Sequence, residues 1–92
     1  MNQTSYESFE SADLALQQAC RRLRLVLDEK DLERLNEAQE AWTAFRDKQV
    51  MLAGGFYEGG SIRPLIHNME AQAVTEVRVK DLQALYDELH SR

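Results

Sequence analysis

Two glycine pairs, Gly54-Gly55 and Gly59-Gly60, interrupt an otherwise helix-forming chain and confine it to folds in which one long helix turns back on another. Adjacent glycines carry the largest helix penalty short of proline and readily take a left-handed exit conformation, so a helix entering them ends there. Ser61 comes next and is of the type that caps a new helix. Pro64 stands at about the third position of that helix, where a missing N–H has no intrahelical partner to lose. The segment between carries Phe56, Tyr57 and Glu58. Its two rings are expected to fold back over the helix ends.

Apolar residues on either side of this break recur every three or four positions, the period of an amphipathic helix. Leu16, Ala19, Cys20, Leu23, Val26 and Leu27 form one stripe, and Leu32, Leu35, Ala38, Trp42, Phe45, Gln49 and Leu52 a second. Residues 28–31 interrupt the pattern. They read as a turn before a second helix capped by Asp31, with a polar joint in one long helix as the other reading. Residues 1–11 read as a flexible tail, with Ser11 or Asp13 able to cap the first helix, and residues 12–92 as one helical domain. The third helix runs from Ile62 to about Leu89 and carries two apolar stripes, Ile62/Ile66/Met69/Ala73/Val77 and Ala71/Thr75/Arg78/Leu82/Leu85/Leu89. At about 100° per residue these stripes lie on nearly opposite sides. Such a helix is either central in a three-helix arrangement or partly used for self-association, a homo-oligomer through helix three.

The 92 residues suffice for one domain and one modest core, and 16 acidic against 11 basic side chains leave a net charge of −5. That charge repels a nucleic-acid backbone, and Arg21, Arg22 and Arg24 spread around their helix rather than forming a patch. The single Cys20 cannot form an intrachain disulfide or a thiolate zinc site, and its place in an apolar stripe makes it a buried, inert thiol. No run is long and apolar enough for a membrane span, and the polar, acidic start does not read as a signal peptide. A chain beginning with Met fits a cytoplasmic protein. The mature form of a periplasmic or secreted protein would read the same.

Reaction chemistry is sparse. His67 and His90 are the only histidines, no three metal ligands share a workable spacing, and no cofactor motif is present. Gly59-Gly60-Ser61 lacks the lysine and preceding strand of a phosphate loop, and Ser61 lacks the context of a nucleophile. Glu37 and Glu40 invite comparison with the paired carboxylates of a glycan hydrolase, but charged solvent-facing turns look the same. Arg46 and Arg78 differ, since each falls beside the apolar stripe of its helix. A guanidinium there must be paired or must reach the surface, with Asp13, Glu10, Glu58 and Glu70 as partners or the carbonyls of helix ends and the glycine loop as acceptors. Trp42, one turn from Arg46, is expected to fill the helix crossing and stack on it.

The same residues carry a likeness. Ala12-Asp13, Leu16-Gln17, Leu35, Gln39, Ala41-Trp42, Phe45-Arg46, Gly59-Gly60-Ser61, Thr75, Arg78 and Leu82, in this order and at these separations, resemble the lysozyme inhibitor LprI-like family of bacterial secreted and periplasmic proteins. The resemblance implies a small exported helical protein, and one branch of the family is described as inhibiting lysozyme. It also implies cysteines at Val50 and near Glu70, cross-linking helices two and three. Neither position holds one here.

The reading that results is an all-α domain of about three helices, with helices two and three as an antiparallel hairpin. Its function is that of a non-enzymatic protein-interaction module. Inhibition of a lysozyme-like muramidase, through Phe56, Tyr57 and Glu58, is the alternative implied by the resemblance, and a small glycan hydrolase using Glu37 or Glu40 is a third.

Overall fold

The computed structural model describes residues 2–91, and it is all-helical over that range: α1 (Asn2–Arg24), α2 (Glu29–Gly55) and α3 (Arg63–His90). Of the expected tail, residues 2–11 are the first turns of α1, and residue 1 lies outside the described residues. The helix starts early because this segment has something to pack on. Ala12 is buried, Phe9 is half-buried, and Asn68 of α3 donates to Ser5 Oγ at 3.1 Å. Ser11 and Asp13 therefore sit inside a helix and cap nothing.

The interruption after α1 is a turn over residues 25–28, and α2 is capped by Asp28 rather than Asp31. Extended at φ −76° and ψ 175°, Asp28 accepts from the Asp31 backbone N–H at 2.8 Å. Asp31 lies in the first helical turn beside Glu29, where a negative charge meets the positive end of the helix dipole, and it also accepts from Arg34 at 2.8 Å. At the other end, α2 stops at the glycines as expected, although not through a left-handed exit. Both remain helical, Phe56 continues right-handed at φ −69°, and Gly59 alone takes positive φ, +81°. Ser61 makes no cap: α3 begins at Arg63 after Ile62, with Pro64 in its first turn. The serine lies one residue too early for its hydroxyl to reach the free N–H groups.

Helix α3 is central. Gln39 pairs with Arg78 and Gln49 with Glu70, so positions rise along α2 as they fall along α3. Ser5 pairs with Asn68 and Arg22 with Tyr86, so α1 runs alongside α3 in the same direction. Leu16, Ala19, Cys20 and Leu23 of α1, Leu35 of α2 and Leu82 of α3 form the core, with Leu27, Trp42, Val79, Tyr86 and Leu89 packed against it. Of the two stripes on α3, the one through Ala71, Thr75 and Leu82 is buried, and the one through Met69 and Val77 faces outward. Together the three helices form an elongated body of 49 × 22 × 16 Å.

Candidate functional site

Two arginines hold the helices in register. Arg46 Nη1 donates to Asp13 Oδ1 of α1 and to Thr75 Oγ1 of α3, both at 3.3 Å, so one α2 side chain reaches both other helices. Its guanidinium also lies 4.8 Å from the Trp42 ring centroid and 5.5 Å from that of Phe9, electron-rich faces that favour a cation in a site largely closed to water. Arg78 donates through Nε to Gln39 Oε1 at 2.6 Å. Among the described residues neither arginine binds helix-end or loop carbonyls. Both sit mid-helix, where neighbouring carbonyls are already used by the helix ladder and side-chain acceptors on the facing helices are within reach. Trp42 does stack on Arg46, but it is only half-buried, because α2 offers the core a narrow edge on which, among the described residues, Leu35 is the one buried large side chain.

The α2–α3 connection is wound tightly. Phe56 N–H donates to Ala53, Tyr57 N–H to Gly54, Gly60 N–H to Tyr57 and Arg63 N–H to Gly60, each a carbonyl three residues back. This continued winding carries the rings outward instead of letting them fold over the helix ends. Phe56 is 77% exposed and Tyr57 42%, and Glu58 beside them is also in solvent. Gly59, Gly60 and Ser61 complete the exposed turn. One end of the connection is fixed by a contact that the sequence alone does not show: the His67 ring lies on Gly54, leaving no room for a β-carbon there, with Nε2 buried and unpartnered among the described residues. The only signal was Gly54 itself, since a buried helical glycine marks a close approach.

Glu37 and Glu40 lie side by side on the exposed face of α2 and do not face one another across a cleft. Among the described residues no group of His, Cys, Asp and Glu could hold a metal ion, and no helix is long and apolar enough to cross a membrane. Cys20 is buried. Burial pushes its thiol pKa up from the ordinary 9.0, and the positive charges of Arg24 and Arg78 only partly oppose that.

With this geometry in place, comparison with known proteins gives a family. The model of the family described as lysozyme inhibitor LprI matches residues 1–82, and the chain belongs to that family. An uncharacterised protein of Rhizobium meliloti (strain 1021) is 38% identical over 56 residues, which span 61% of this chain and 40% of that protein. The chain thus aligns with well under half the length of that relative. No solved structure matches it. Next to Val50, where the resemblance implies a cysteine, Gln49 Nε2 donates to Glu70 Oε2 at 3.1 Å, a hydrogen bond between the same two helices.

Proposed function

We propose, from this membership, that the protein is a non-enzymatic inhibitor of lysozyme-like muramidases and that it docks through Phe56, Tyr57 and Glu58. The observation that carries the reading is the exposure of Phe56, 77%, on a short connection pinned between two long helices. A rigid exposed aromatic loses little freedom on binding, and a neighbouring carboxylate suits a cleft whose rim is cationic. The net charge of −5 acts in the same direction, because lysozymes are commonly basic and opposite charge speeds encounter. A periplasmic or secreted setting, where muramidases meet cell wall, goes with this role.

Calorimetric titration into lysozyme at low salt and at about 0.15 M salt tests it. A fixed stoichiometry that survives the higher salt, and is lost in a folded Phe56→Ala/Tyr57→Ala variant, is the expected result. Heat that vanishes with added salt would reduce the interaction to charge attraction and leave a protein-interaction module with another partner. Turnover of cell-wall substrate by the protein itself would instead favour the hydrolase reading through Glu37 or Glu40.

A further inference from the structure

The outward face of α2 has a pattern that the three-helix core does not use. Ala41, Phe45, Lys48, Leu52 and Gly55 succeed one another at alternating spacings of four and three, and all five are exposed. Phe45 and Leu52 are 53% and 59% in solvent. A heptad period of this kind is the signature of a seam between two helices, and a helix facing only water has no use for it.

We propose that this seam is the interface of a homodimer in which the α2 helices of two copies pack antiparallel across a two-fold axis. The occupant is indicated by shape and charge. Glu37, Glu40, Ala41 and Ala44, at positions i, i+3, i+4 and i+7, line a shallow depression of about 350 Å³. Four residues at those spacings are the hole that a large side chain of a facing helix fills. The side chain to fill it stands on the same face one turn further on: Phe45, with Lys48 after it. With the axis between Ala41 and Phe45, each copy's Phe45 enters the other's depression and each Lys48 lies beside the other's Glu37 and Glu40. Those three charged groups make no ion pair or side-chain hydrogen bond among the described residues, so they are available for it. A parallel arrangement would instead set Lys48 against Lys48, a like-charge contact that favours the antiparallel one. A chain of net charge −5 repels its own copies in general, which makes local pairing of opposite charges the condition for self-association.

The interface is independent of muramidase binding. At about 1.5 Å per residue the two Phe56 positions fall roughly 40 Å apart, at opposite ends of the seam, and both remain free. Sedimentation equilibrium of the full chain from about 1 μM to about 1 mM tests the proposal. The expected result is a transition from 10.6 kDa to twice that mass. Lys48→Glu should raise the dimer dissociation constant at least about tenfold, and Glu37→Lys/Glu40→Lys/Lys48→Glu should return it to within about threefold of the original. All these positions are exposed, so helical content by circular dichroism should not change. A monomer mass over the whole range, a dimer indifferent to Phe45→Asp, or failure of the charge exchange to restore association would overturn it. Lysozyme titration of the Lys48→Glu variant, expected to match the parent chain, keeps the two readings apart.

Discussion

The imidazole of His67 rests directly on the backbone of Gly54, and a methyl group at that glycine would overlap the ring. Gly55, its neighbour, has nothing within 4 Å of the same position. Both are helical, so alanine at Gly55 should raise stability by about 0.5–1 kcal/mol. At Gly54 the same gain is outweighed by an overpacking cost of about 1–3 kcal/mol. Urea unfolding checks the pair. Gly54→Ala combined with His67→Ala should be non-additive by about 1 kcal/mol, since the second change removes what the first collides with. Strict additivity would mean that the ring swings away freely.

Arg46 is 17% exposed and serves Asp13 and Thr75 at once. Arg46→Met keeps the packing stem, strands a half-buried carboxylate and a fully buried hydroxyl, and should cost about 2–3 kcal/mol. Thr75→Val preserves shape, removes only the acceptor, and should cost about 1–2 kcal/mol. Equal values for the two would show that Asp13 contributes nothing.

Burial raises the Cys20 pKa, so the thiol is held protonated in the folded chain. A thiol reagent at pH 8 should react at least about 100-fold more slowly with native than with unfolded protein. Linkage sets the sign of the pH effect. The folded pKa lies above the unfolded one, so the stabilisation is fully present below about pH 9 and is lost as pH rises through the folded value. Thermal melts of the parent chain and Cys20→Ala, compared from pH 7 to pH 10, should diverge in slope only at the alkaline end.

Leu82 has no exposed surface, whereas Phe56 is mostly in solvent. Leu82→Ala should cost about 2–5 kcal/mol and Phe56→Ala less than about 0.5 kcal/mol. Trp42→Ala should fall between them, because only part of the indole is packed. A loss at Phe56 comparable to that at Leu82 would place its ring against the helices after all.

The helices were legible because their apolar residues repeat at the helical period and glycines end the second of them. The Leu16–Leu23 stripe and buried Cys20 were equally plain. The caps expected at Asp31 and Ser61 lie three positions and one position from those found, Asp28 and Ile62, because several polar residues cluster there and spacing alone does not select one. Arg46 and Arg78 were recognisable as needing partners, since both lie beside an apolar stripe. Their acceptors were less so: Asp13 was among the expected partners, but Thr75 and Gln39 are uncharged, and although both belong to the pattern of the resemblance, nothing there marks them as acceptors for an arginine. The outward rings of Phe56 and Tyr57 depend on how the connection winds, a choice made by backbone hydrogen bonds within it.

The contact between Gln49 and Glu70 has a consequence for where the hairpin holds. A disulfide between these helices would close only in an oxidising medium and open wherever thiols are kept reduced. An amide–carboxylate hydrogen bond responds to neither condition. The link between α2 and α3 at this point therefore does not depend on the redox state of the medium.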